Sequence, residues 1–182
     1  PAAAGGGMGG AGMMGGMGLM QSYAATAEPI SLEDAQVRFQ EAAQTFGPNV
    51  QVSEVMTFSN NFYAQLTDEQ GQGIAEVLVD RYTGFTSSEP GPNMMWNTRS
   101  GMMGFAFTGQ PRYDEATAQN LAETFLTKYL PDAKVISAQA FSGYYTFDFG
   151  RTDTDEGMLS VNAYSGEVWV HTWHGTFLGE DD

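Results

Sequence analysis

Methionine and histidine are the residue types in this sequence best suited to specific chemistry. Eleven methionines are present. Met94, Met95, Met102 and Met103 flank Trp96 in one short stretch. Thioethers are soft ligands that suit Cu(I), and the face of a tryptophan ring can cover such an ion. These four are the candidate metal ligands, with Cu(I) as the candidate ion. A second physical reading competes and is the favoured one: methionine is a flexible apolar filler that lets a segment lie closely against another surface. Met8, Met13, Met14 and Met17, set among glycines near the start, fit that reading as candidate contacts to a protein partner.

His171 and His174 are the two histidines. They fall in a run, Val168-Trp169-Val170-His171-Thr172-Trp173, whose composition reads as a strand. Three positions apart on a strand means opposite faces, so the two are not expected to chelate one ion together unless a bulge intervenes. Trp169, His171 and Trp173 share a face instead and are candidate partner-binding residues. Cysteine is absent, which excludes disulfides and thiolate metal sites. The sequence has no Gly-x-Ser-x-Gly elbow, no His-Glu-x-x-His zinc motif and no Walker phosphate loop. The carboxylates are many, but spacing alone singles out no catalytic pair. The expectation is a chain that is not an enzyme and has no cofactor other than Cu(I).

With 22 acidic against 7 basic residues the formal net charge is −15. Phosphate backbones and anionic lipid are repelled by such a chain, so nucleic acid is not an expected partner. No run approaches the roughly 18 apolar residues of a membrane span. The start at Pro1-Ala2-Ala3-Ala4 reads as a mature chain after signal-peptide cleavage. The expected location is therefore secreted: periplasmic, cell-surface or extracellular.

The elements that must position these residues can be read from periodicity. Ser31 and Asp34 have capping-box spacing, and Leu32, Ala35, Phe39, Ala42, Ala43 and Phe46 follow on one helical face until Gly47-Pro48 stops the helix. Strands are expected over 50–58, 62–66 and 74–79, with a turn at Asp80-Arg81-Tyr82-Thr83-Gly84 and a short strand near Phe85. The order then recurs. Asp114 caps a helix bearing Ala118, Leu121, Ala122, Phe125 and Tyr129, and Leu130-Pro131 ends it. Strands are expected near 133–141, 144–149, 157–161 and 167–173, with a turn at 162–166. Ser31 and Asp114, Ala35 and Ala118, and Pro48 and Pro131 are 83 apart; after a one-residue slip Phe62 pairs with Tyr144 and Val79 with Val161, 82 apart. This is the signature of an internal duplication.

The helix, the proline stop, the aromatic strand and the Asp-x-x-Thr-Gly turn resemble the PepSY-like family of extracytoplasmic domains. So do Gly91-Pro92-Asn93-Met94-Met95-Trp96-Asn97 and Val168-Trp169-Val170-His171-Thr172-Trp173-His174-Gly175, which are similar to exported prokaryotic proteins carrying tandem PepSY-like units and Gly/Met-rich stretches. The second turn departs from the pattern, with Asn162 and Ser165. The resemblance implies an α+β fold of two tandem units, each a helix across an antiparallel sheet. The expected division is a Gly/Met-rich extension over 1–28, a first unit over 29–89, a Met-rich linker over 90–112 and a second unit over 113–182. The implied function is a secreted interaction or assembly protein, with self-assembly or a protein partner. Metal handling and regulation of an envelope protease are the alternatives.

Overall fold

The structure is a computed structural model that describes residues 26–104, 109–152 and 154–181. The expected contacts at Met8, Met13, Met14 and Met17 lie outside the described residues. The fold is α+β. Helix α1 (Leu32–Phe46) is followed by β1 (Gln51–Phe58), β2 (Asn61–Thr67), β3 (Gly73–Asp80) and β4 (Thr86–Ser88). A single helical turn, α2 (Pro92–Met95), precedes α3 (Glu115–Tyr129), β5 (Lys134–Phe141), β6 (Tyr144–Arg151), β7 (Thr154–Asn162), β8 (Val168–Val170) and β9 (Phe177–Asp181). None of the described helices is long and apolar enough to cross a membrane.

Both long helices begin as their caps dictate. The Ser31 side chain accepts from the Asp34 amide and the Asp114 side chain from the Thr117 amide, each satisfying a donor that the first turn leaves without a partner. Each helix buries a stripe at every fourth residue: Ala35, Phe39 and Ala43 on α1, and Ala118, Ala122 and Leu126 on α3. The alanines bring each helix close to the sheet. Phe62, Ala64 and Leu66 of β2 meet α1, while Phe147, Phe149 and Leu159 meet α3.

The strands form one sheet in the order β8-β7-β6-β5-β3-β2-β1-β9, with β4 on β3. It is not a pair of separate antiparallel sheets. The two halves are joined by one parallel pairing, Gly73 with Phe141. Gly73 is required there, because a Cβ would sit 2.5 Å from the Phe141 ring and 2.7 Å from the Ala140 carbonyl oxygen. The ninth strand is one the sequence reading lacked. It leaves the second half and pairs antiparallel with β1, Met56 opposite Glu180.

Strand register corrects one pairing of the repeat. β1 and β5 carry the same irregularity, between Val52 and Glu54 and between Val135 and Ser137, 83 residues apart. Phe62 lies opposite Thr57, and Tyr145 lies opposite Ala140, so the counterpart of Phe62 is Tyr145 and not Tyr144. The slip to an offset of 82 falls in the connection after the second strand of each half, since Leu66 pairs with Ala75 and Phe149 with Gly157. A one-residue error in a strand inverts its faces. Tyr144 accordingly points away from α3, into the space between the halves.

That space holds the site. β2 and β3 are buried along nearly their whole length, on both faces. One face meets α1. The other carries Met56, Phe58, Tyr63 and Leu78, packed with Met158 of the second half. The segment expected as a linker is partly built into this core. Asn93 donates to the Glu76 carbonyl oxygen at 3.0 Å and accepts from the Glu76 amide at 3.2 Å, and Asn97 donates to the Ile74 carbonyl oxygen at 2.8 Å. These amides cover backbone groups of β3 as a neighbouring strand would.

Candidate metal centre

Glu89, His171 and His174 converge between the halves and are 0 %, 5 % and 1 % exposed. Glu89 is the residue after β4 and His171 the residue after β8. Each is anchored by its backbone in the same way: the Glu89 amide donates to the Glu76 carbonyl oxygen and the His171 amide to that of Met158, both at 2.9 Å. Since β8 stops at Val170, His171 and His174 lie in a turn. Strand alternation does not apply there, and the expectation that the two histidines diverge is overturned.

Nδ1 of His171 is 3.2 Å, and Nε2 of His174 2.9 Å, from Oε1 of Glu89. These distances suit hydrogen bonds, but the directions do not: neither ring nitrogen has a hydrogen-bond partner, and neither does Oε2 of Glu89. One donor atom from each of the three residues lies within 4.8 Å of the others, the one such group of three among the described residues. A buried polar atom without a partner is costly, and two such nitrogens facing one carboxylate, itself with an unpartnered oxygen, mark a place where something else completes them.

Hydrogen bonds on the far side of each ring fix its tautomer. The Asn61 amide donates through Nδ2 to the Trp173 carbonyl oxygen at 3.4 Å, which turns its Oδ1 toward Nδ1 of His174 at 2.8 Å. A carbonyl oxygen only accepts, so Nδ1 carries the proton and Nε2 presents a lone pair. For His171 the order is set by a chain of hydroxyls. Thr146 donates to Oε1 of Glu76 at 2.9 Å, leaving Ser160 to donate to Thr146 at 2.9 Å and to accept from Nε2 of His171 at 2.9 Å. Nδ1 of His171 is then bare as well. Both lone pairs are on the Glu89 side, the arrangement a metal-binding imidazole requires.

Burial lowers the pKa of His174, keeping the ring neutral. Behind the cluster, Glu76 accepts from Tyr63 and Tyr144 at 2.8 Å each. Burial, and then the neighbouring Glu89, push Glu76 well above its ordinary value. Burial and the Glu76 carboxyl raise both tyrosines, so they remain protonated donors. Trp173 donates through Nε1 to Oε1 of Glu89 at 3.2 Å and stacks on His171, with centroids 4.7 Å apart. Phe58 stacks on His174 at 4.4 Å.

The other candidates sit elsewhere. Met95, Met102 and Met103 are exposed, Met102 to 69 %, while Met94 is half-buried. The Met103 amide donates to the Met94 carbonyl oxygen at 3.0 Å, so the two ends of this stretch lie side by side at the surface. Trp169 is 36 % exposed and packs on Trp96 rather than on His171. The open grooves flank α1, between it and β1 and between it and β4. Sequence reasoning missed Glu89. Its signal was the offset of 82, which maps Glu89 onto His171.

No protein-family model matches the chain, and no curated protein does. Among solved structures, the Bacillus megaterium YpeB C-terminal domain is similar at a TM-score of 0.32 and 12 % sequence identity, over 81 % of this chain and 64 % of that one.

Proposed function

We propose that this protein binds a first-row divalent metal ion through Glu89, His171 and His174, in the seam between two copies of one PepSY-like helix-and-sheet unit. The observation that carries the reading is the convergence of one buried carboxylate and two buried imidazole nitrogens without hydrogen-bond partners, on rings whose opposite nitrogens are already engaged. Two imidazoles and one carboxylate suit zinc and its neighbours better than a soft monovalent ion. Burial of all three ligands favours a binding role over catalysis, because catalytic metal sites keep a position open to substrate. The test is calorimetric titration of chelator-treated protein with Zn²⁺. One equivalent should bind, and Glu89→Gln, His171→Ala and His174→Ala should each lose it. A folded native chain that takes up no first-row divalent ion overturns the reading.

A second reading is a secreted interaction or assembly protein. It is favoured by the exposed apolar side chains Met95, Met102, Met103 and Trp169. Exposed apolar groups of this kind suit a protein partner or a second copy. The same methionines keep Cu(I) as an alternative ligand there. Light scattering of the native chain and of a variant with all four of these side chains made polar decides this reading, which requires association in the native chain alone. Protease regulation rests on the family resemblance and is tested by inhibition assays against envelope proteases.

A further inference from the structure

The ligands of the cluster come from opposite halves of the fold. Glu89 ends the first half. His171 and His174 lie on the turn that carries the chain from β8 across to β9. That turn is tied to the β1–β2 turn through its backbone. The Ser59 amide donates to the Thr176 carbonyl oxygen at 2.8 Å, the Asn60 amide to that of His174 at 3.1 Å, and the Thr176 amide to Oγ of Ser59 at 3.0 Å. The Asn60 side chain donates to the Trp173 carbonyl oxygen at 3.0 Å. Gly175, at φ +83°, has no room for a side chain, since a Cβ would lie 2.1 Å from Oγ of Ser59. Several of these bonds involve exposed side chains, and bonds that water can reach hold a turn only weakly.

Glu76 and Glu89 are both 0 % exposed, and among the described residues no lysine or arginine forms an ion pair with either. Tyr63, Tyr144 and Thr146 occupy the oxygens of Glu76, which makes it a neighbour of the site and not a ligand.

We infer that the ion held by the cluster acts as an internal staple, joining Glu89 of the first half to the His171–His174 turn of the second. The inference rests on the metal-binding reading above and adds to it a role.

The experiment uses the full chain, freed of ions by a chelator and then titrated with Zn²⁺. Calorimetry reads affinity, and amide hydrogen exchange reads the segments 59–61 and 171–177. One equivalent of Zn²⁺ should slow exchange in both segments tenfold or more and leave the centres of α1 and α3 unchanged. Glu89→Gln should lose both the binding and the slowing. Binding of Zn²⁺ without slowed exchange in the native chain overturns the staple and leaves the metal-binding reading standing. No uptake of Zn²⁺ by the folded native chain removes the reading and the inference together.

Discussion

Glu89 and His171 occupy the same place in the two halves of the fold, 82 residues apart, and their side chains meet with Oε1 3.2 Å from Nδ1. Ser88 pairs with Val77, and Val170 with Leu159, so the two residues leave matched strands at matched registers. One position therefore supplies a carboxylate from one half and an imidazole from the other.

Asn61 holds the proton of His174 on Nδ1. Replacing Asn61 with Ala frees the ring to change tautomer and should weaken Zn²⁺ binding about 10–100-fold, the usual effect of losing a partner behind a metal-binding histidine. Asn61→Asp restores an acceptor and should recover most of the affinity. Competition with a chromophoric chelator measures both, and equal affinity in the Ala variant would remove the tautomer argument.

Glu54 and Asp148 predict how stability depends on pH. Glu54 accepts from Gln65, and Asp148 from Ser137. Burial, with Asp148, Glu180 and Asp155 nearby, raises Glu54 to about 8, and burial together with Asp155 and Glu180 raises Asp148 to about 7 against the Ser137 bond that lowers it. Both folded-state values lie above the unfolded ones, so the folded chain holds more protons between about pH 4.5 and 8. Stability should be greatest at the low end of that window and fall as pH rises through about 7 to 8, by on the order of several kcal/mol. Urea denaturation at a series of pH values reads the slope. Glu54→Gln should flatten it and be more stable than the native chain at pH 8.5. Flat or rising native stability from pH 5 to 8 contradicts this account.

Gly91 sits at φ +72°, and a Cβ there would come within 2.9 Å of the Trp173 ring. Gly91→Ala combines backbone strain with a steric clash, and should cost about 1–3 kcal/mol. Because Trp173 bonds Glu89, its fluorescence should shift along with the loss of stability. A melting temperature within a degree of native would show that Trp173 is free to move.

Gly73 holds the parallel junction between the halves. Gly73→Ala places a methyl group against the Phe141 ring and the Ala140 carbonyl oxygen, and overpacking of this kind costs about 1–3 kcal/mol. Thermal melts measure the loss. Phe141→Ala in the same chain relieves only the contact with the ring, so partial recovery is expected.

Most of the secondary structure was legible because local chemistry dictates it. Ser31 and Asp114 each bond the amide that a capping residue bonds, and Asp80 and Asn162 accept the amides of Tyr82 and Tyr164 at 3.0 and 2.8 Å to close the two equivalent turns. The faces of β6 were misassigned through a single residue, because the alignment placed the slip before the strand when it falls after it. The site was hidden for another reason. Nothing local marks Glu89, an acid after a short strand, and only packing of one half on the other buries it. His171 and His174 were read with strand geometry, whereas the chain turns after Val170. β9, with the sequence Phe177-Leu178-Gly179-Glu180-Asp181, has two acids and a glycine and no strand alternation. Its pairing is decided by the open edge of β1, which lies more than a hundred residues away.

The crossing of β9 to β1 bears on synthesis. The first half can form its sheet and dock α1 while the ribosome is still making α3, since its pairings are local. The edge of β1 that receives Glu180 opposite Met56 must wait for nearly the last residue of the described chain. Long-range pairings of this kind form slowly, and the turn bearing both histidines leads directly into this one. A nascent chain therefore displays Glu89 long before it has any imidazole to place beside it. Capture of an ion at this seam becomes a late event, confined to chains that already carry β9.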